Sequence, residues 1–460
     1  MTSHLIVGGG PAATNALQTI RIYDPDAEIT LVCDEPAHSR MALPYWIAGN
    51  IPAEQTHTAD DAFFARHNVT THIGKRVEKI EPAANQVTLC DGSTVGYDNL
   101  LIATGSSPVA PPINGTDLPG VQPLWSLANT QALLDSTAET ALPRVVMVGA
   151  GFIGFIVLNA MYKRGWKLTV VERETQVLPR MLDGGSAGMV QNWLATRGVE
   201  VHTGTTVTEI RAGDDGAKLV DLENGTTLEA DIVIIATGIQ ANLGLLDGSG
   251  IETDQGILVN NQMQTNFPNI YAAGDVAQGP SLFGSDKEVH AIQPTAVDHG
   301  RVAGANMAGQ QVQYGGSLLM NVVDVCGLQT ASYGAWNDES AELMTIDNDS
   351  GFVYRKLLWT GDQITGAIFA GRANDMGMLT DVGMVKGLIQ TKTSLGPWKD
   401  FLAKNPFDIR RAYVASGVAQ VLAKTTLLGQ PSQTRDYRYK DTAVVANMGQ
   451  AHKVYVETKN

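Results

Sequence analysis

Two stretches of this chain carry the same pattern: HLIVGGGPAATNALQTI from His4 to Ile20, and RVVMVGAGFIGFIVLNAMYKRG from Arg144 to Gly165. Each runs from a short apolar segment into a glycine cluster, then into helix-compatible text, then into a second apolar run that ends at an acid. In the first, Leu5-Ile6-Val7 leads into Gly8-Gly9-Gly10-Pro11-Ala12-Ala13, and Glu28 to Val32 reads as the next strand, ending at Cys33-Asp34-Glu35. In the second, Val145 to Val148 leads into Gly149-Ala150-Gly151-Phe152-Ile153-Gly154. The helix then runs to about Lys163, and Leu168 to Val171 is the next strand, ending at Glu172. A strand, a glycine turn, a helix and a second strand with an acid at its end form the dinucleotide-binding fingerprint.

The residue types follow from the chemistry. Gly8 and Gly149 permit the tight turn, and Gly10 and Gly151 let the backbone approach a pyrophosphate. Ala13 and Gly154 keep the helix close to its strand. Pro11, Ala12 and Ile153 lie in the first turns of the helices, whose free N–H groups and partial positive charge suit an anion. Glu35, with Asp34 as the near alternative, is placed to hold a ribose hydroxyl. Glu172 favours a 2′-hydroxyl, hence NADH ahead of NADPH, although Arg173 next to it is of the type that meets a 2′-phosphate. One glycine cluster can be a plain turn. Two in full context imply two nucleotide cofactors that exchange electrons.

At 460 residues the chain is too long for a single ordinary core. A net charge of −15 argues against nucleic acid, leaving solubility or a basic protein partner as its use. The three cysteines, Cys33, Cys90 and Cys326, form no CxxC pair and no zinc-ligand spacing, so no metal is expected and a reducing, cytoplasmic setting is. No signal peptide is visible, and no apolar run reaches the roughly 18 residues of a membrane span.

Further motifs carry a resemblance. Leu100 to Gly105 and Ile232 to Gly238 are apolar strands ending in Ala-Thr-Gly, one after each glycine turn, and Phe267 to Val276 reads FPNIYAAGDV. Together they resemble the FAD- and NAD(P)-dependent pyridine nucleotide–disulfide oxidoreductase superfamily, over about residues 4 to 310. The resemblance implies an α/β fold: two Rossmann-like dinucleotide-binding domains, an FAD domain (1–115 and 246–320) with an inserted NAD domain (116–245), plus a C-terminal α+β interface domain (321–460) that pairs two subunits as a homodimer. It places Asp275 at the ribitol of FAD, and the helix beginning Gln293-Pro294-Thr295-Ala296 with its N-terminus at the flavin. Thr104 and Gly105 lie near FAD, Gly238 near NAD, and Val77 near the adenine, where a buried strand residue is an equal reading. Asp275 also reads as a simple helix cap.

Many relatives carry a reactive cysteine just after the position of Glu35. Here that stretch reads PAHSRMALPYW, with Met41 at the cysteine's place, and a thioether forms neither thiolate nor disulfide. The resemblance therefore narrows to the branch without redox cysteines: rubredoxin and ferredoxin reductases and the flavin domain of nitrite reductases. In that branch the arginine matching Arg40 lies by the FAD pyrophosphate. The three cysteines read as small buried thiols. A second departure is Ile156, where close relatives place a glutamate near the nicotinamide. No His-Pro occurs in the C-terminal part, where the text predicts a hairpin across Gly361-Asp362, then helices over Gly377 to Gln390 and Pro397 to Ala403. The text from Asn405 onward, including Tyr437-Arg438-Tyr439, carries no assignment beyond a dimer arm or partner surface.

The expected activity is an FAD-dependent NAD(P)H oxidoreductase passing hydride from NADH to FAD and electrons onward to a carrier of the rubredoxin or ferredoxin kind. The cofactors carry that chemistry, so no catalytic side chain is nominated. Two alternatives stand beside it: a non-catalytic flavin-bearing assembly subunit or redox sensor, for which Ile156 speaks, and an NADH oxidase making peroxide.

Overall fold

Strand Ser3–Val7 is buried from His4 to Val7, and the strands on both sides of it are equally apolar. It pairs in parallel with Glu28–Cys33, Ile6 opposite Leu31, and with Asn99–Ile102, Ile6 opposite Leu101. Strands covered on both faces read as continuous apolar runs, which is why no alternation marks them. The full five-stranded order is Ile270–Ala272, Asn99–Ile102, Ser3–Val7, Glu28–Cys33, Val69–Ile73. These coordinates are a computed structural model that describes residues 1–284, 287–424 and 427–428.

The second glycine turn sits in a sheet of the same order: Val121–Gln122, Ile232–Ile235, Arg144–Val148, Lys167–Glu172, Glu200–Thr203. Each unit also carries a three-stranded antiparallel meander before its Ala-Thr-Gly strand, beginning at Val77–Glu81 in one and Val207–Ala212 in the other. The segments after the two Ala-Thr-Gly motifs pair with each other, Ser106–Pro108 antiparallel to Ile239–Ala241, and this ribbon joins the units.

Helix Pro11–Tyr23 crosses helix Gln293–Met307 at very short range. A Cβ on Gly300 would stand 2.2 Å from the Ala12 carbonyl oxygen, and one on Gly304 would stand 2.5 Å from that of Ala16. Only glycine permits this crossing, and it ties residues near 300 to the first glycine turn.

The hairpin across Gly361-Asp362 forms as predicted, Val353–Thr360 with Gln363–Arg372, inside a five-stranded antiparallel sheet. Its side chains alternate. Ile368 and Ala370 join a core with Trp193, Phe155 and Leu158 of the second unit, while Ala367 and Phe369 join a core with Val385 and Leu388 of helix Met376–Gln390. A period of two thus makes this sheet the middle layer between the second unit and its own helices. Helices Trp398–Lys404, Ile409–Ala415 and Val418–Lys424 follow. Tyr437-Arg438-Tyr439 lies outside the described residues. Among the described residues no helix is long and apolar enough to cross a membrane.

Cys33 and Cys326 are buried, as expected, but Cys90 is exposed. It stands one residue past the buried strand Gln86–Leu89, at the Asp91-Gly92 turn, where nothing packs over it. The expectation of three buried thiols fails there.

Candidate flavin and nicotinamide site

Gly8 has φ +114°, and a Cβ there would lie 2.2 Å from the Ala103 carbonyl oxygen, so the turn admits no side chain. Gly10 begins helix Pro11–Tyr23 as an extended N-cap with no side-chain cap, and no atom lies within 4 Å of where its Cβ would be. The helix therefore presents uncapped N–H groups to open space. That space is a cavity of about 1160 Å³. Gly8, Gly10, Pro11, Ala12 and Glu35 line it, and so do Arg40, Val77, Thr104, Gly105 and Asp275. Ala13 and Thr295 do not. Both are buried, Ala13 beneath its helix and Thr295 in the first turn of helix Gln293–Met307. Val77 combines both readings made of it, a buried strand residue at the cavity wall.

Arg40 and Asp275 meet across the cavity wall, Nη1 to Oδ2 at 3.7 Å. Burial pulls the Arg40 guanidinium down from its usual range, opposed by the charges of Asp275, Glu35 and Asp34. Asp275 accepts a hydrogen bond from Ser106 Oγ at 2.8 Å. The helix-cap reading fails: the N-cap of the short 3₁₀ turn Gly274–Val276 is Ala273, and no side chain caps it. Ser39 Oγ donates to Gln293 Oε1 at 3.1 Å, which brings the loop before Arg40 to the N-terminus of helix Gln293–Met307.

The second turn repeats the backbone chemistry. Gly149 has φ +103°, with a would-be Cβ 2.4 Å from the Ala236 carbonyl oxygen, and Gly151 begins its helix without a side-chain cap. A Cβ on Gly154 would stand 3.1 Å from the Gly149 carbonyl oxygen and from Met147 Sδ. Glu172 differs from its counterpart. It is buried, and its two oxygens accept the N–H groups of Ala150, at 2.6 Å, and of Glu174, at 2.9 Å. Arg173 points out and pairs with Glu174 at 3.1 Å. Gly238, with φ +135°, accepts the Val109 N–H at its carbonyl, beside the ribbon that joins the units.

Gly149, Gly151, Gly154, Glu172 and Gly238 do not line the cavity, but the helix they launch does. Phe152, Ile153 and Ile156 form part of its wall. The first turn and the helix of the second turn therefore face one chamber, with an apolar residue at 156. Met41 lines the same chamber and carries no thiol. Cys33 lines it too, but its Sγ would be 3.3 Å from a Cβ on Gly9, beneath the first turn. Burial, aided by Asp34 and Glu35, pushes its pKa up to about 12, so it holds no thiolate near neutral pH.

Sequence reasoning passed over Trp125, Asn242 and Lys386, which also line the cavity. Asn242 clasps the ribbon, donating to the Thr104 carbonyl oxygen at 2.8 Å and accepting from Ser107 Oγ at 2.7 Å. It stands four residues after Gly238, a spacing that the paired Ala-Thr-Gly motifs make noticeable. Lys386 comes from helix Met376–Gln390, nearly a hundred positions past the last cofactor motif, and no local signal marks it. His290 and His299, not nominated from sequence, have local partners. His290 pairs with Glu288 at 2.7 Å, and burial pushes His299 down to about 3.

Residues 2–300 match the family model described as pyridine nucleotide-disulphide oxidoreductase. Subunit epsilon of NADH-dependent phenylglyoxylate dehydrogenase from Aromatoleum evansii is 34% identical over 415 residues, covering 89% of this chain and 96% of that subunit. Rhodocoxin reductase from Rhodococcus erythropolis is 32% identical over 316 residues, covering 68% of this chain and 73% of that protein. Among solved structures, a NAD-dependent persulfide reductase from A. fulgidus superposes with a TM-score of 0.79 at 26% identity, covering 92% of this chain and 85% of that one.

Proposed function

The chain belongs to the pyridine nucleotide-disulphide oxidoreductase family and is an FAD-dependent NAD(P)H oxidoreductase, and from that premise we propose that it passes electrons between NADH and a protein-borne one-electron carrier, with no cysteine in the path. The observation that carries this reading is the shared chamber: the first turn, Arg40, Asp275 and the apolar first turns of the second helix all face it, and Met41 stands where a thiol would be needed.

The residues fit FAD. Uncapped helix N–H groups behind Gly10 and an Arg40 side chain with no hydrogen bond among the described residues suit the pyrophosphate, Glu35 an adenosine ribose, and Asp275 the ribitol. Val77 and the backbone at Thr104 and Gly105 complete that wall, and buried Thr295 anchors the helix facing it. Bound FAD supplies the hydride acceptor that also releases electrons one at a time. The chain orients, excludes water and tunes charge. Phe152, Ile153 and Ile156 give the nicotinamide an apolar wall, and helix Gln293–Met307 directs its N-terminal dipole into the chamber. Gly151 and the helix N-terminus it begins receive the NADH pyrophosphate, with Gly149 making the turn and Gly154 seating the helix on its strand; Glu172 receives the adenosine ribose, and Gly238 borders the same site.

A carrier of the rubredoxin or ferredoxin kind is the first acceptor. The likeness to rhodocoxin reductase supports a separate carrier. The likeness to subunit epsilon, along nearly its whole length, supports a second reading in which the chain is the flavin-bearing subunit of a larger dehydrogenase and the carrier is a neighbouring subunit. Anaerobic mixing with NADH tests the core of both. Prompt loss of the flavin band near about 450 nm, followed by reduction of an added one-electron carrier protein, is expected. NADH binding without bleaching would leave the non-catalytic reading, and, in a parallel run with air admitted, peroxide formation that outpaces carrier reduction would leave the oxidase reading.

A further inference from the structure

We propose that Trp125 is a positioning residue for FAD: its ring face holds the Arg40 guanidinium in the chamber and leaves that guanidinium's donors free for the FAD pyrophosphate. The inference rests on the assignment of the first site to FAD and names a residue outside that site's motifs.

The Arg40 guanidinium carbon lies 4.5 Å from the centroid of the Trp125 ring. No hydrogen bond to the Arg40 side chain is formed among the described residues, and Asp275 Oδ2, at 3.7 Å, is too far to accept one. A half-buried guanidinium normally spends its five donors on carboxylates or carbonyls, because burial disfavours an unsatisfied charge. Here it is held by two contacts that consume none of them: a ring face and a charge beyond hydrogen-bond reach. Gly105 admits this arrangement, since a Cβ there would stand 3.3 Å from Arg40 Nη1.

Trp125 is itself fixed. Its indole Nε1–H donates to the Ser106 carbonyl oxygen at 2.7 Å, and Ser106 Oγ donates to Asp275 Oδ2 at 2.8 Å. The contacts close a ring: Arg40, Trp125, Ser106, Asp275 and back to Arg40. Four chain segments supply it: the loop after the first acid, the ribbon strand Ser106–Pro108, the segment before helix Leu127–Ser136, and the Gly274-Asp275 turn. Trp125, Arg40 and Asp275 all line the cavity, while Ser106 is buried behind it. Trp125 lies just ahead of helix Leu127–Ser136, past the short strand Val121–Gln122 that edges the second sheet. A ligand that engages Arg40 therefore also favours the seating of the second unit, and that seating favours the ligand, by the same factor.

The test is a double-mutant cycle on flavin-free protein, read as the FAD dissociation constant by flavin absorbance and fluorescence. Trp125→Leu fills the space without a ring face and is expected to weaken FAD about tenfold, the size of a partly desolvated cation–π contact. Trp125→Phe keeps a ring face and is expected to restore most of the affinity. Arg40→Ala is expected to cost about a hundredfold, as the loss of charge-assisted hydrogen bonds does. In the Arg40→Ala background Trp125→Leu is expected to add almost nothing. Folding of each variant is checked by circular dichroism. An undiminished effect of Trp125→Leu without Arg40, or a Phe variant as weak as the Leu one, overturns the proposal. Wild-type protein that takes up no FAD would instead sink the first-site assignment itself.

Discussion

The two glycine turns occupy equivalent points of one topology, and their surroundings set them apart. The first opens into a cavity walled by Arg40, Thr104, Asp275 and the start of helix Gln293–Met307, and Glu35 lines it too, 3.7 Å from His38 Nε2. The second lies outside that cavity, its acid buried and folded back onto the N–H groups of Ala150 in the turn and of Glu174, and only the first two turns of its helix reach the chamber. The helices differ as well. Pro11–Tyr23 is locked against Gly300 and Gly304 with no room for a methyl group, whereas Phe152–Lys163 packs on the short helix Leu43–Ile47 and strand Met320–Val325. One fingerprint thus yields an enclosed site suited to a resident cofactor and an outlying one suited to a molecule that must leave. Enclosure comes from later segments, not from the glycines.

The sharpest test of that contrast pairs Gly8→Ala with Gly149→Ala. Each puts a Cβ against a carbonyl oxygen at a positive φ, at a local cost of about 3 kcal/mol or more. The Gly8 variant is expected to purify without flavin. The Gly149 variant is expected to keep its flavin and lose at least about a hundredfold in bleaching rate with NADH. Flavin content per chain and stopped-flow absorbance decide, and equal flavin loss in both would erase the distinction.

A pH effect is expected next, from the first unit alone. Burial holds His299 neutral, with its pKa pushed down to about 3. The unfolded chain takes up the proton near its ordinary value of about 6.5, so stability is full above that pH and falls below it, by up to about 1.4 kcal/mol per unit until about pH 3. Denaturant titration of the holoprotein at pH 7.5 and pH 5 should show a loss of roughly 2 kcal/mol. His299→Gln should flatten the slope, and a slope that survives the substitution places the titration elsewhere.

At the second turn, Glu172→Gln should raise the KM for NADH about tenfold, because an amide replaces a carboxylate that accepts two N–H groups. Glu174→Ala should release Arg173 and lower the KM for NADPH about threefold. Steady-state kinetics with both coenzymes report the pair, and an unchanged NADPH value would mean that Arg173 does not face the ribose.

The smallest expected effect is a labelling pattern. A thiol reagent at pH 8 should modify Cys90 promptly in the native protein. Cys33 and Cys326, both pushed up to about 12 by burial, should react only after unfolding. Prompt loss of the Cys33 thiol would show that the first turn opens, and prompt loss of the Cys326 thiol that the sheet around Met320–Val325 does.

Much of the fold was legible because its elements are local. Apolar runs before Gly8 and Gly149, the paired Ala-Thr-Gly strands and the hairpin across Gly361-Asp362 each state their structure within about a dozen residues. Cys90 misled because a strand end and the turn beyond it read alike, one position apart. Gly300 and Gly304 went unread because a glycine inside a helix has no local use, and its reason is a carbonyl nearly three hundred residues away. Trp125 and Lys386 went unread because neither lies in a cofactor motif, and the chamber they line is assembled from segments far from them along the chain.

By itself the sequence determined the two β-α-β units, the residue types suited to a pyrophosphate, and the absence of a thiol at position 41, since backbone conformation and side-chain chemistry are properties of short segments. Only the tertiary structure decided that the first turn faces a chamber, that Glu172 turns inward, and that Arg40 rests on Trp125 with its donors free. Those depend on which distant surfaces the packed sheets bring within a few ångströms, and no spacing along the chain encodes that distance.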